Sequence, residues 1–135
     1  RLLFEATTTS KVKDLVRAFL LELHDRVIGK GFYEHVARRP EAQACVEVAC
    51  GLEGLADAYA IAASIKDRRK GVYRDCILTA LDFLMRAQRT TGCTDRERGG
   101  FGASLAIREQ RIDVTGHVAS GFIKSVENGI DGPAT

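Results

Sequence analysis

The sequence predicts an all-α protein built from antiparallel helical hairpins, and three features support this prediction. Apolar residues recur every three or four positions in four separate segments, which is the spacing of one helix face. Glycines such as Gly29, Gly92 and Gly129 follow these segments, where helices commonly stop. No segment alternates apolar and polar residues as a half-buried strand does. The 135 residues are therefore expected to form one helical domain, residues 1–135, with its own core.

The first helix is predicted over residues 11–28. A run of threonines and a serine precedes it and offers oxygens that cap a helix N-terminus. Gly29 and Gly31 supply stop signals at the other end. His24 and His35 fall at or beyond the polar edge of this region, so we expect both on the surface. The apolar stripe of this helix consists of Val12, Leu15, Val16, Phe19, Leu20, Leu23 and Val27.

The second helix is predicted over residues 40–65. Pro40 suits a first helical turn, and the acidic Glu41 is favourable beside a helix N-terminus. The segment carries few charges, which indicates that other helices enclose it. Small residues recur at a spacing of four along one stripe, which lets a neighbouring helix approach closely; they are Cys50, Gly54, Ala58 and Ala62.

The third and fourth helices are predicted over residues 72–90 and 113–128. The stretch 93–112 between them is polar and rich in glycine, and we expect it to be irregular. Its glycines do not form a phosphate-binding loop, because no Lys-Ser or Lys-Thr pair follows at the required spacing. We expect Phe101, within this loop, to cover the top of the core.

Composition narrows the classes of partner. The formal net charge of +2 is too small to indicate nucleic-acid binding, and no apolar run is long enough to span a membrane. The four cysteines show no pattern of closely spaced pairs and no histidine at zinc-finger spacing. Free thiols in a reducing compartment such as the cytoplasm are the favoured interpretation, and no cofactor and no metal site is expected.

Part of the chain has the pattern of a known helical hairpin. Residues 54–59 read GLADAY, a short charged turn follows, and residues 73–75 read YRD. Residues 80–88 then read ALDFLMRAQ. This pattern resembles one helical hairpin of an α/α toroid, the fold of six-hairpin glycosidases, sugar epimerases, polysaccharide lyases and the terpenoid cyclase/prenyltransferase group.

The following segment fits the same family. In such proteins a helix that ends in Gln often leads to a Gly-Gly-aromatic-Gly loop and then to a helix that begins with Asp. Here Gln88 is followed by GGFG at 99–102 and by DVTGH at 113–117. The resemblance covers about residues 40–129 and implies a carbohydrate-active protein with a polar cleft for a sugar-like ligand. It implies a glycoside hydrolase, lyase or epimerase-like activity if the protein is an enzyme.

Two departures limit what the resemblance implies. A toroid of this kind has six hairpins, whereas four predicted helices make two, so a complete toroid requires self-association or the remainder of a longer chain. The paired catalytic acids of the glycosidases and the aspartate-rich motif of the terpenoid cyclases have no match in the sequence. The alternative is a non-catalytic four-helix module that binds another protein chain through its small-residue faces.

Candidate catalytic residues are Asp113 and His117, which stand four positions apart and would share one helix face. A carboxylate in that position would orient the imidazole and favour its protonated form, which suits a general acid or a group that binds sugar hydroxyls or an anionic substrate. In the alternative interpretation, Asp113 is the N-cap of the helix and His117 is a surface residue. The residues expected to contact the ligand are Arg111, Gly100, Phe101, Ser120 and Lys124.

Glu47 is the third candidate catalytic residue. It and Glu53 lie on the second predicted helix, where acidic side chains among small apolar residues are expected to be paired or else to have a shifted pKa. If Glu47 faced Asp113 or His117, the arrangement would resemble the two carboxylates of glycosidic cleavage. A salt bridge from an acid on this helix to Arg111 is the structural alternative.

Overall fold

The computed structural model describes residues 10–130 and confirms the all-α fold class. Within that range no strand forms, and only two isolated bridges occur, Gln88 with Phe101 and Gly102 with Gln110. None of the described helices is long and apolar enough to cross a membrane. Residues 10–130 contain five α-helices: α1 (Ser10–Gly29), α2 (Phe32–Arg38), α3 (Cys45–Ser64), α4 (Lys70–Ala87) and α5 (Ile112–Glu127).

Helix α3 lies at the centre of the described fold and contacts α1, α4 and α5. Its burial confirms that the low-charge segment is enclosed by other helices. The glycines at two crossings explain the close approach: Gly54 of α3 lies against the ring of His24, and Gly121 of α5 lies against the side chain of Leu52. The buried residues of α3 are Cys45, Val48, Ala49, Leu52, Leu55, Ala56, Ala58 and Ala62.

Neighbouring helices run in two relative directions. Helices α3 and α4 are joined by the short connector 65–69 and pack side by side, which makes an antiparallel hairpin. Helices α3 and α5 instead run in the same direction, because Glu53 pairs with His117 and Asp57 pairs with Lys124 farther along both helices. The α3–α5 pair is therefore parallel, in contrast to the antiparallel α3–α4 hairpin.

The second predicted helix is shorter than the sequence indicates. Residues Pro40–Ala42 form a 3-10 turn, and Gln43 and Ala44 then adopt extended backbone. Helix α3 begins only at Cys45, whose backbone N–H donates to the carbonyl oxygen of Ala103 at 2.8 Å. This hydrogen bond attaches the start of α3 to the glycine-rich loop.

Helix α2 is absent from the sequence-based prediction. It spans seven residues after Gly31, which has a positive φ of 83°, and no side chain caps its N-terminus. Its inward side chains Tyr33 and Val36 are buried. A helix of two turns without capping residues carries little periodic signal, so packing against α4 rather than local propensity accounts for it.

Helix α1 buries a different side from the one its apolar stripe suggests. Leu15 and Phe19 of the stripe are 62% and 63% exposed, whereas Leu21, outside the stripe, is buried.

Polar contacts hold α1 in this orientation. The Tyr73 hydroxyl of α4 donates to Asp25 Oδ1 at 2.7 Å and lies 3.1 Å from the carbonyl oxygen of Leu21. Arg69 Nη1 donates to the other oxygen of Asp25 at 3.0 Å. These contacts orient α1 with its apolar stripe outward.

The end of α5 confirms the predicted glycine cap. Gly129 has φ of 77°, its N–H donates to the Val126 carbonyl oxygen at 2.9 Å, and the Ile130 N–H donates to Ser125 at 2.8 Å. This is the hydrogen-bond pattern of the Schellman motif, and buried Ile130 supplies its apolar contact.

Candidate functional site

The expected pair of Asp113 and His117 does not form. Asp113 accepts two hydrogen bonds from Arg111, at 2.6 Å and 3.1 Å. His117 instead contacts Glu53 of α3, with its Nδ1 2.6 Å from Glu53 Oε1. Asp113 is also not the N-cap of α5, since Arg111 occupies that position and makes no side-chain capping bond. Asp113 is therefore neither the partner of His117 nor the N-cap of α5, because it forms an exposed ion pair with Arg111.

Contacts between α3 and α5 form a polar row along one side of the molecule. Glu53 pairs with His117, and Asp57 accepts a hydrogen bond from Lys124 Nζ at 2.9 Å. The side chains of Glu53 and His117 are 23% and 44% exposed, so solvent reaches this row. Lys124, expected to contact a ligand, is thus held by a carboxylate, and Ser120 is half-buried on the same helix.

Cys50 lies beside the pair formed by Glu53 and His117. One ligand atom from each of the three side chains lies within 4.8 Å of the other two. Loss of some of its hydration, together with the nearby carboxylates of Glu53 and Asp113, raises the pKa of the Cys50 thiol above its usual value.

Glu47 lies six positions before Glu53 on α3 and faces a hollow. It is exposed in the first turn of α3 and lines a hollow of about 410 Å³ against the end of α1 and the start of α2. No hydrogen bond or ion pair among the described residues joins Glu47 to Asp113 or His117, which pair with Arg111 and Glu53 instead. The other residues that line this α1–α2–α3 hollow are Val27, Lys30, Gly31, Phe32, His35 and Gln43.

The α1–α2–α3 hollow has a mixed lining. Phe32 and Val27 contribute apolar surface, and Phe32 is braced by an edge-on contact with Tyr33, with ring centroids 5.0 Å apart. Gln43 is almost completely buried, and its Nε2 donates to the Arg39 carbonyl oxygen at 3.3 Å. Ligand sites in proteins commonly have this composition, an apolar wall with a few fixed polar groups.

A second hollow of about 410 Å³ adjoins the first one. Lys30, Gly31 and His35 line both, and Glu34 and Arg38 line only the second. His35 is exposed, as the sequence predicts, whereas His24 is half-buried against Gly54. The two hollows together make one continuous surface of mixed polarity across α2.

The residues of the glycine-rich loop contact the rest of the protein, and these contacts serve the fold. Gln88 Nε2 donates to the Gly99 carbonyl oxygen at 3.0 Å, and Phe101 is buried with its ring edge-on to Phe122. Gly100 faces Gln110 so closely that a Cβ on the glycine would overlap that side chain. Phe101 therefore covers the core as predicted, and neither it nor Gly100 lies on the α1–α2–α3 hollow as a ligand contact.

The cysteines divide into two groups. Cys45 and Cys76 are buried, and burial raises the pKa of both thiols, that of Cys76 to about 11. Cys50 is exposed and Cys93 is half-buried. The expectation of buried free thiols is thus correct for two of the four.

The sequence carries a partial signal for these sites. Cys50 and Glu53 stand three positions apart, which places them on one helix face, but 64 positions separate Glu53 from His117. The hollow depends on α2, whose helical character is not visible in the sequence.

We compared the chain with protein-family models, curated proteins and solved structures, and found no match in any of the three comparisons.

Proposed function

We propose that the chain binds a sugar-like ligand in the α1–α2–α3 hollow, as part of a carbohydrate-active protein. The observation that carries the proposal is the position of Glu47, Gln43 and Phe32 around one hollow of about 410 Å³. This volume falls within the range of about 300 to 1,000 Å³ that is typical of small-molecule sites. The proposed relationship to the α/α toroids stays a prediction based on the sequence motifs.

The chemistry of the lining matches the two sides of a sugar ring. A pyranose has an apolar face of C–H groups and a rim of hydroxyl groups. Phe32 and Val27 supply the apolar surface, while the Glu47 carboxylate accepts and the Gln43 amide donates or accepts hydrogen bonds. Glu47 and His35 are also the titratable groups at this hollow that suit proton transfer.

Calorimetric titration with a panel of oligosaccharides tests the proposal. We expect binding that weakens by about tenfold or more in Glu47→Gln, because a hydrogen bond to a charged group is worth about 1.5–3 kcal/mol. The matched control is Glu127→Gln, the same change at an exposed position at the end of α5. Equal binding by wild type and Glu47→Gln would contradict the assignment of Glu47, and no binding to any sugar would contradict the ligand class.

A second candidate function is favoured by the exposed apolar side of α1. Leu15 and Phe19 stand four positions apart, and more than half of each side chain faces solvent, with Val16 and Leu23 beside them. We propose that this side packs against the same side of a second copy of the chain. A twofold pair of helices buries one stripe against its own equivalent, so a single self-complementary surface suffices.

Sedimentation at several protein concentrations tests this second candidate. We expect a dimer that the Phe19→Lys variant converts to monomer, while Ile123→Lys, at a position of α5 that is 59% exposed, leaves the dimer intact. A wild-type protein that remains monomeric at every concentration would contradict the proposed pairing.

A further inference from the structure

The side chains of Cys50, Glu53 and His117 converge from two helices. Cys50 and Glu53 lie one turn apart on α3, and His117 approaches from α5. The three potential ligand atoms all lie within 4.8 Å of one another, and the closest pair, His117 Nδ1 and Glu53 Oε1, is 2.6 Å apart. A thiol, a carboxylate and an imidazole thus meet at one point on the α3–α5 polar row.

These distances are close to those of a metal site. With bonds of about 2.0–2.3 Å to a tetrahedral zinc ion, ligand atoms lie about 3.3–3.7 Å from one another. The imidazole and carboxylate would have to separate slightly, and the thiol would have to move inward by about 1.5 Å at most. Rotations of the side chains provide such movements without a change in the helices.

We propose that this chain binds a divalent transition-metal ion of the zinc class through Cys50 Sγ, a Glu53 carboxylate oxygen and a His117 ring nitrogen. A thiolate and an imidazole favour zinc, cobalt or nickel over magnesium or calcium, which prefer oxygen ligands alone. Coordination replaces the S–H bond of Cys50 with a sulfur–metal bond and releases the proton to solvent. No oxidation or reduction takes place.

Neighbouring groups leave the fourth coordination position open. The Asp113 carboxylate is occupied by two hydrogen bonds from Arg111, and Asp57 is paired with Lys124. Water or an external ligand would therefore complete the coordination, as in sites with three protein ligands. His117 and Glu53 are partly exposed and Cys50 is exposed, so an ion reaches the site from solvent.

Cobalt titration of the reduced protein tests this proposal, since a thiolate bound to Co²⁺ produces a charge-transfer absorption band. We expect one equivalent of Co²⁺ to generate this band and one equivalent of Zn²⁺ to remove it. Cys50→Ser should abolish the band, and Glu53→Gln and His117→Asn should weaken Co²⁺ binding by more than about tenfold. The control is Cys93→Ser, which removes the other thiol that is not buried and should leave the titration unchanged.

Thermal unfolding with and without Zn²⁺ provides a second measurement that does not depend on the absorption band. Because the ion links α3 to α5 only in the folded state, Zn²⁺ should raise the melting temperature of wild type and of Cys93→Ser, but not of Cys50→Ser. With EDTA present, Cys50→Ser should melt as wild type does, which excludes misfolding as the cause. The absence of stoichiometric metal uptake in wild type, or unchanged uptake in Cys50→Ser, would overturn the proposal. Both measurements are independent of sugar binding.

Discussion

Gly121 of α5 packs directly against Leu52 of α3. A Cβ built on the glycine would lie 2.8 Å from Leu52 Cδ2 and 3.0 Å from its Cγ, and Leu52 is completely buried. The contact sets the separation of α3 and α5, and it therefore determines whether Glu53 reaches His117. Two glycines of α5 allow the contribution of this contact to be measured.

Gly121→Ala is expected to destabilise the protein. The added methyl group must displace the Leu52 side chain, and overpacking of a core costs about 1–3 kcal/mol, which on average outweighs the gain of about 1 kcal/mol in helix propensity. The matched control is Gly116→Ala, where a Cβ meets nothing within 4 Å, and which should gain that propensity in full. Urea unfolding measures both, and equal stabilities for the two variants would show that the α3–α5 spacing is looser than described.

The hydroxyl of Tyr73 is expected to stabilise the attachment of α1. It donates to Asp25 Oδ1 at 2.7 Å from a completely buried ring. Tyr73→Phe removes this bond, so the free energy of unfolding should fall by about 1–2 kcal/mol. The control is Tyr33→Phe, because the buried Tyr33 hydroxyl has no hydrogen-bond partner among the described residues. That change should be neutral or slightly stabilising, and a larger loss from Tyr33→Phe would contradict this assignment.

Substitution of two leucines tests which side of α1 faces the core. Leu21 is 1% exposed, whereas Leu15 is 62% exposed. Leu21→Ala should lower the free energy of unfolding by about 2–5 kcal/mol, because it leaves a cavity in the core. Leu15→Ala should change it by less than about 0.5 kcal/mol in the monomer. Denaturation at a protein concentration low enough to prevent association compares them, and a reversed order would show that α1 presents its apolar stripe to the core.

Stability should depend on pH through His24. Burial of the ring lowers the pKa of His24 below 6.5 in the folded state, against the opposing effect of the Asp25 and Asp57 charges. The unfolded chain therefore binds a proton at higher pH than the folded chain, so protonation favours unfolding. As far as His24 determines it, the free energy of unfolding should be highest well above pH 6.5, where the ring is neutral in both states. It should decrease as the pH falls below 6.5.

His24→Gln isolates the contribution of His24. The variant loses ring packing against Gly54 at every pH, but the difference between wild type and variant should shrink as the pH falls from 7 toward 5. Chemical denaturation at a series of pH values measures this difference. A constant difference across the range would show that the folded state does not lower the pKa of His24.

The helices that carry long periodic patterns were predictable from the sequence. The predicted bounds of α4 and α5 agree with the structure to within about three residues, because apolar spacing and Gly129 mark them. Helix α2 was not predictable in this way, since seven residues between glycine and arginine show neither a cap nor a full period. The break before Cys45 depends on a hydrogen bond to the distant Ala103.

The candidate sites depended more strongly on tertiary contacts. The prediction that acids on the second helix are paired is confirmed for Glu53, although with His117 rather than Arg111. Asp113 and Arg111 are only two positions apart, and their local ion pair removes the expected bond to His117. The hollow that Glu47 lines depends on α2, so this environment of Glu47 was not visible in the sequence.

Chemical-shift mapping by NMR tests the central claim most directly. Nitrogen-15-labelled protein would be titrated with oligosaccharides, and the backbone amides that respond would be assigned. We predict saturable shifts confined to residues 27–35 and 43–47, the segments around Phe32 and Glu47, and their loss in Glu47→Gln. Shifts centred on other surfaces, or no saturable shift with any sugar, would contradict the proposal that the α1–α2–α3 hollow binds a sugar-like ligand.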